Sequence, residues 1–498
     1  MLAPWVVEEM KSADLKDKRL NERLEEVLSA LGERPTASIP AACSGHAETA
    51  AAYRFFDNEK VTFERVLASH CQRTRERVAA QPVVLLIQDT TELDFTRPEQ
   101  SMEGAGFLDA SARRGAFLHP LIAFTGDGTP LGTCWAKAWT RAEPIDETRQ
   151  SYEQRRKHRP LAEKESLRWI EGLQQAREVA QAVPQTQCIC IADSEADIFE
   201  LFAEPRGEQP VHWIVRACQD RAVVAEGTER DADSEAETAR RLRAAVEQQP
   251  ALFTQEINVR GRRTEYSCER SQRKQPRESR QAQMEVRAAT VVLRAPQRPG
   301  GLKLHPVTVN VVQVREVAPP DGDVPVEWLL VTTLPISNPE EVRAIIGYYT
   351  VRFLIEVLFH VLKSGCRVED RRFQHIDRML PCVAVYLIVA WRTLMLCRLG
   401  RSCPDLDCEA VFDPAEWKSV WMTVKRQPVP RRPPRLGEMI PLIAQLGGYI
   451  NYPNRKDPPG PQTVWLGLQR MYDLALAWNT FGPGARKAEA RKTDATCV

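Results

Sequence analysis

Two short runs of apolar residues, each followed by an aspartate, constrain the fold of this chain most strongly. Val83–Ile87 ends two residues before Asp89, and Cys188–Ala192 ends directly before Asp193. Continuous runs of this length, rich in branched residues, are typical of strands buried on both faces of a central sheet. Glu163–Val183 lies between them and has a helical pattern. Strands with a helix between them predict a mixed α/β sheet.

The two aspartates are unusual residues for the ends of buried strands. A carboxylate in such a place costs desolvation energy unless it is paired or bound to a metal. A third acid, Glu356, lies in a predicted helix downstream. Two acids at strand ends and one from a helix would give an oxygen-rich site, which favours Mg²⁺ or Mn²⁺. Two such ions, about 3.5–4 Å apart, can activate a water or a 3′-hydroxyl and stabilise a leaving oxygen.

Four polar residues around Glu356 fall on one narrow stripe of the predicted helix. At about 100° per residue, Arg352, Glu356 and Lys363 all lie within roughly 60° of Tyr349. The apolar residues opposite are Val351, Leu354, Leu358, Val361 and Leu362. At about 1.5 Å per residue the stripe spans roughly 21 Å, which suits a nucleic-acid strand better than a small metabolite. The alternative is a simple i,i+4 ion pair between Arg352 and Glu356 on a solvated face.

The chain resembles the bacterial insertion-sequence-four family of cut-and-paste DDE transposases. The family signature Y-x2-R-x3-E-x6-K is matched without a gap by the four residues of the stripe. The family's strand followed by Asp-Thr-Thr corresponds to Asp89–Thr91, and its Asp-x-Glu-Ala-Asp to Asp193–Asp197. Ala52–Phe55 and Leu446–Gly448 also look like the family. The resemblance covers nearly the whole chain and implies a ribonuclease-H-like catalytic core.

The resemblance also implies roles for individual residues. Asp89, Asp193 and Glu356 would be the catalytic metal ligands for two Mg²⁺ or Mn²⁺ ions. Trp328 matches a tryptophan that stacks on a flipped base, although it could instead be a core residue of its strand. The residues that would contact DNA are Tyr349, Arg352, Lys363, Arg216, Arg19, Arg23 and Arg54. Val357–His360 and the basic stretch Arg260–Arg280 depart from the family, which leaves the preferred DNA sequences open.

The organisation along the chain follows from composition and pattern. The basic stretch within the predicted insertion is either a flexible solvated loop or a loop that tracks phosphates. We expect an α/β ribonuclease-H-like catalytic core with a β-rich insertion, flanked by an α-helical N-terminal DNA-binding domain and an α-helical C-terminal domain. The expected boundaries are 1–75 for the N-terminal domain, 76–400 for the catalytic domain (insertion about 205–325), 401–436 for a Pro-rich linker, 437–480 for the helical dimerisation domain and 481–498 for a disordered tail.

Composition limits the class of protein without selecting the function. The net charge of +1 hides any local basic surface, and the N-terminus lacks the pattern of a signal peptide. The 13 cysteines show no zinc-type spacing and read as free thiols of a reducing compartment. Met379–Cys397 is strongly apolar but contains Pro381 and Arg392, so we expect a buried core helix and no membrane span. A cytoplasmic, nucleoid-associated bacterial protein is expected.

The main functional hypothesis is a cut-and-paste DNA transposase that acts on terminal inverted repeats and target DNA. The family works as a dimer, and Gly437–Leu446 and Gln462–Trp478 are the candidate helices for the homodimer contact. Two alternatives stay open on the residues alone. One is a catalytically silent, transposase-derived DNA-binding protein, and the other is a nuclease of the same fold without strand transfer.

Overall fold

The computed structural model describes most of the chain in two compact units. One unit consists of Met1–Ile145 with Phe353–Val498, and the other of Asp146–Arg352. The residues that the structure describes are 2–43, 45–97, 99, 101–108, 112–142, 164–206, 211–224, 240–259, 261, 278–298, 303–451 and 458–482. Most of the basic stretch Arg260–Arg280 and residues 483–498 of the predicted tail lie outside these ranges.

The described residues begin with five helices, continue through a region of strands with a few helices, and end in helices only. The α-helices are α1 (Pro4–Glu9), α2 (Lys18–Glu33), α3 (Ile39–Cys43), α4 (His46–Phe56), α5 (Phe63–Ala79), α6 (Leu167–Ala182), α7 (Phe199–Phe202), α8 (Leu242–Glu247), α9 (Pro339–Val351), α10 (Phe353–His360), α11 (Ile376–Ser402), α12 (Pro414–Lys425), α13 (Leu436–Leu446) and α14 (Pro461–Phe481). The strands are β1 (Val83–Gln88), β2 (Thr91–Asp94), β3 (Gly106–Phe107), β4 (Arg114–Thr125), β5 (Pro130–Trp139), β6 (Gln187–Ala192), β7 (His212–Arg216), β8 (Phe253–Val259), β9 (Arg280–Leu293), β10 (Val307–Glu316) and β11 (Glu327–Thr332).

The sheet of the first unit is built around β4. This strand pairs antiparallel with β1, β2, β3 and β5. It is buried at every residue from Gly115 to Phe124, as expected for the centre of a sheet covered on both faces. The turn from β4 to β5 contains Gly128 at φ 85°, a left-handed conformation that glycine adopts without steric cost. The strand predicted before Asp89 is therefore confirmed as β1.

Helix α11 is the central helix of the first unit. It packs against α5, β5, α2 and the C-terminal helices α13 and α14. Two helical segments, Pro339–Asp370 and Ile376–Ser402, are long and apolar enough to cross a membrane, a test that core helices of soluble proteins also pass. In the second segment, 83% of the most apolar window is buried. The predicted core helix is thus confirmed.

A buried polar cluster links α1 and α5 to β5 in the same unit. His70 is fully buried, and its Nε2 accepts a hydrogen bond of 2.9 Å from the Thr133 N–H, so Nδ1 carries the proton donated to Glu9. Arg77 donates two bonds of 3.0 Å to the same carboxylate and lies over the Trp391 ring. Burial by itself would raise the pKa of Glu9, but His70 and Arg77 outweigh it and lower the pKa to about 2.

This cluster should make the packing of α1 against α5, and with it the stability of the folded protein, sensitive to acid. Because the pKa of Glu9 is lowered from 4.5 to about 2, its contribution is present above pH 4.5 and is lost as the pH falls towards 2. That shift corresponds to about 3 kcal/mol. Burial also lowers the pKa of His70 from 6.5, so stability begins to fall below that pH. In urea unfolding, Glu9→Gln should be less stable than wild type at pH 7, and the difference should shrink below pH 4.5. A difference that is constant with pH would contradict this assignment.

The C-terminal helices form one hydrophobic core together with the end of α11. Its buried members include Leu396, Cys397, Trp417, Val420, Leu436, Met439, Ile443, Val464, Leu468 and Met471. The predicted boundary at residue 400 therefore cuts through a helix that contributes to this core. The prediction of an extended linker over 401–436 is also wrong, because α12 lies within it. A capping box between Asp413 and Glu416 begins α12, and burial of Trp417 anchors it.

The second unit contains a mixed sheet in the order β6-β7-β11-β10-β9-β8. Strands β6 and β7 are parallel, and the pairs from β7 onward are antiparallel. The helix predicted over Glu163–Val183 is observed as α6, which packs on β6. The region predicted to be β-rich contains β7 to β10 and the short helix α8. The parallel pair at one end of this sheet positions the candidate site.

Candidate functional site

Asp193 lies directly after β6 and begins a tight turn. Its Oδ1 accepts a 2.8 Å hydrogen bond from the Glu195 N–H, so the carboxylate caps the short 3₁₀ helix Ser194–Ala196. This cap fixes one oxygen at the carboxyl end of the strand. The predicted position of Asp193 at the end of a buried strand is confirmed.

Asp197, the last residue of the same motif, has a structural role that sequence reasoning missed. It is fully buried and accepts 2.8 Å bonds from the N–H groups of Cys218 and Gln219. It also pairs with Arg221, whose Nε lies 2.9 Å from Oδ1. These bonds tie the turn after β6 to the turn after the parallel strand β7. The available signal was the second aspartate of the Asp-x-Glu-Ala-Asp motif, whose function the spacing alone does not reveal.

Tyr349 gathers several predicted residues around it in the second unit. Its ring is buried, and Arg216, the last residue of β7, hydrogen-bonds its side chain. Burial raises the pKa of Tyr349, the charges of Arg352 and Arg216 oppose this rise, and Asp193 adds to it. Trp328 is half-buried and meets the Tyr349 ring edge-to-face, with the ring centroids 5.7 Å apart. Five of the predicted residues are therefore neighbours in this unit.

The predicted stripe is interrupted at Arg352. Helix α9 ends at Val351. The backbone N–H of Arg352 donates to the Tyr349 carbonyl, which is an i→i−3 bond in place of the α-helical i→i−4 bond. Further along, Lys363 lies in a π-helical turn over Val361–Gly365, which shifts the helical phase again. The predicted stripe is therefore not one regular α-helical face, and Tyr349, one of its four members, is buried. Turns of this π type are frequent at functional sites.

In the first unit, Asp89 lies directly after β1, as predicted. The Thr90 N–H donates a 2.7 Å bond to Asp89 Oδ1. Glu356 is exposed on α10, and the Lys363 ammonium lies 3.9 Å from Glu369. Glu369 in turn accepts a 2.9 Å bond from the Asp94 N–H, at the end of β2. Thus Glu369, which the sequence did not single out, links the predicted DNA-binding lysine to the sheet.

The N-terminal arginines predicted to grip DNA lie on the surface of α2 and α4. Arg19 is highly exposed and pairs with Asp17, while Arg23 pairs with Glu26 one helical turn away. Arg54 is exposed. It lines an open depression that is rich in basic and aromatic residues and is also lined by Asp57, which pairs with Arg378; the other lining residues are Tyr53, Arg372, Phe373 and Gln374. Basic groups interleaved with rings are typical of nucleic-acid surfaces.

The carboxylates are divided between the two units: Asp89 and Glu356 belong to the first, and Asp193 to the second. Among the residues that the structure describes, no group of three or more His, Cys, Asp or Glu side chains forms a metal-binding cluster. The eleven cysteines within the described ranges form no disulfide bonds. Metal binding by the three acids therefore stays a prediction from the sequence.

Two family models match the ends of the chain. Residues 3–61, which include α1 to α4, match "Transposase DNA-binding". Residues 388–491, which include the C-terminal core, match "Transposase Tn5 dimerisation domain". These two matches support a Tn5-like DNA transposase of the insertion-sequence-four family. The matched N-terminal module supports DNA binding, and the matched C-terminal module supports a homodimer.

The matched regions place the DNA-binding and dimerisation elements of the transposase on particular helices. Arg19, Arg23 and Arg54 all lie in the DNA-binding match. The dimerisation match begins within α11, which agrees with the contribution of that helix to the C-terminal core. Helix α14 exposes two large apolar side chains, Leu476 and Phe481. Exposed apolar groups on a dimerisation domain are candidates for burial between two copies.

Proposed function

We propose that this transposase moves its element by cut-and-paste, through metal-dependent cleavage of the element's ends and strand transfer into target DNA. The reaction would be carried by a ribonuclease-H-like core that includes the parallel pair β6 and β7. Support comes from the two family matches and from the order of the three acidic motifs along the chain. Both ends of the chain are matched to transposase modules, which makes the intervening acids the candidates for the chemistry.

One observation carries this proposal: the surroundings of Asp193. The carboxylate lies near Tyr349, and the same tyrosine is influenced by Arg216 and Arg352. Two guanidinium groups and a carboxylate that all act on the same tyrosine suit a phosphodiester, since arginine binds phosphate oxygens while the carboxylate can hold a cation. Tyr349 is buried against Trp328, so it fixes the position of Arg216 rather than forming a free surface group.

The donor set fits Mg²⁺ or Mn²⁺. Asp89, Asp193 and Glu356 offer only carboxylate oxygens, which are the hard ligands these ions prefer. The backbone N–H bonds to Asp89 Oδ1 and Asp193 Oδ1 orient each of the two carboxylates. Two bound ions would supply activation of the attacking oxygen and stabilisation of the leaving oxygen. The three carboxylates would hold them, and no other side chain is required as a ligand.

The remaining residues would hold the DNA. Arg216, Arg352 and Lys363 would neutralise phosphates near the cleaved bond, while Arg19, Arg23 and Arg54 would bind the inverted repeat. Trp328 is only half-buried, so part of its ring is available to stack on an extruded base. Its contact with Tyr349 would hold the ring in place for that role. The C-terminal helices would pair two subunits on the two ends.

The test is a cleavage assay on linear DNA that carries the short inverted repeats bounding the transposase gene. With Mg²⁺, we expect nicks at the repeat ends, followed by joined products in which those ends are covalently linked to a target plasmid. Cut ends without joined products would identify a nuclease and overturn the strand-transfer part of the proposal. A normal gel shift without cleavage in Mg²⁺ or Mn²⁺ would instead identify a silent DNA-binding protein.

A further inference from the structure

A fully buried histidine bridges the two residues that flank Asp89. His119 lies on β4, with its Nε2 3.0 Å from Gln88 Oε1 and its Nδ1 2.8 Å from Thr90 Oγ1. Gln88 and Thr90 both face His119, as side chains two residues apart in an extended chain do. The imidazole thus contacts the side chains on both sides of the predicted metal ligand and restricts the movement of this segment.

The chemistry of the two partners determines which ring nitrogen of His119 donates a hydrogen bond and which one accepts. An amide oxygen only accepts, so the Nε2 of His119 carries the proton and Nδ1 is an acceptor. The Thr90 hydroxyl must therefore donate to Nδ1. The backbone N–H of the same Thr90 donates a 2.7 Å bond to Asp89 Oδ1. One residue thus connects the imidazole to the carboxylate, through its side chain on one side and its backbone on the other.

We infer that His119 is a positioning residue, which orients the Asp89 carboxylate for divalent-ion binding through Thr90. This inference rests on the proposed function, in which Asp89 is a metal ligand. Gln88 is also buried, so loss of His119 would leave two polar side chains without this partner and free the Thr90 backbone to shift. Groups that orient metal ligands in this way typically affect metal affinity or activity by about 10- to 100-fold.

The experiment measures Mn²⁺ binding to the DNA-bound, full-length transposase by electron paramagnetic resonance of free Mn²⁺. We expect His119→Gln and Thr90→Val each to weaken Mn²⁺ binding about tenfold. Thr90→Ser keeps the hydroxyl and should bind Mn²⁺ like wild type. The double variant should be no weaker than the worse single variant, because both changes break the same chain of bonds.

His70→Gln is the matched control. His70 is also a fully buried histidine of the first unit, but its partners are Glu9 and Thr133. It should lower the melting temperature and leave the Mn²⁺ affinity of the folded protein unchanged. If His119→Gln behaves like this control, or if the effects of the His119 and Thr90 changes add, the positioning role is overturned. If Asp89→Asn itself leaves Mn²⁺ binding and cleavage unchanged, the proposed function fails, and not merely the role of His119.

Discussion

Replacing Asp193 with asparagine should abolish DNA cleavage while leaving the fold and DNA binding intact. Asparagine keeps an oxygen that can accept the Glu195 N–H bond, so the 3₁₀ turn after β6 should persist. What is lost is the negative charge, on which the proposed metal binding depends. Metal catalysis of this kind contributes several kcal/mol, so single-turnover cleavage should fall by roughly a thousand-fold or more. Asp89→Asn and Glu356→Gln should have effects of the same order.

Glu195→Gln provides a matched control for the charge change. Glu195 lies in the same motif, but it is exposed and pairs with Arg168. Its loss should change cleavage by no more than a few-fold, since exposed ion pairs contribute little. Gel shifts with inverted-repeat DNA should be similar for all four variants. Cleavage by Asp193→Asn at the rate of the Glu195 control would remove Asp193 from the catalytic machinery.

A side chain at Gly467 should unfold the C-terminal dimerisation region. A Cβ atom at this position would lie 1.9 Å from the carbonyl oxygen of Ile443, where α14 crosses α13. Gly447 faces the same crossing, with its Cβ position 1.9 Å from the carbonyl oxygen of Thr463. Because both obstacles are backbone atoms, the helices must move apart. We expect Gly467→Val to cost at least about 3 kcal/mol, the upper part of the usual range for overpacking.

The effect should be seen as loss of a cooperative melting transition and loss of dimers on DNA. Gly460→Ala is the control in the same region, since nothing lies within 4 Å of its Cβ position and its φ is −73°. It should melt close to wild type. If Gly467→Val folds and dimerises like Gly460→Ala, the close crossing of α13 and α14 is not present in the protein. The crossing also gives a physical reason for Gly447, whereas its neighbour Gly448 is required by a left-handed φ of 94°. The sequence had matched this pair to the family only as a motif.

The sequence predicted the local elements of the fold well where hydrophobic patterns are strong. The strands before Asp89 and Asp193, helix α6 and the buried helix α11 all follow from runs of apolar residues. These elements can be predicted because they depend on residues that are close together in the sequence. The segment 401–436 was misread because its prolines suggested an extended chain. Helix α12, which carries the buried Trp417, packs against the distant helices α13 and α14, and composition alone does not predict those contacts.

The sequence predicted which residues belong to the candidate site, but it did not predict how those residues are arranged. The positions of Asp89 and Asp193 follow from the strand ends. An ideal helical projection failed at Arg352 because one i→i−3 bond and a later π-helical turn change the phase of the residues that follow. The supporting residues, Asp197 and His119, were not found, since each acts through contacts with residues more than 20 positions away. Such partners become visible only when the sheet is assembled.

The most direct test of the central claim, that Asp89, Asp193 and Glu356 hold the catalytic ions together, is iron-mediated cleavage of the protein chain. With Fe²⁺ in place of Mg²⁺ and with ascorbate and peroxide present, hydroxyl radicals cut the backbone next to the bound ion. For the DNA-bound transposase, we predict cuts near residues 89, 193 and 356, all suppressed by excess Mg²⁺ and all reduced together in Asp193→Asn. Cuts confined to one of the three segments, or cuts unaffected by Asp193→Asn, would contradict a shared metal site.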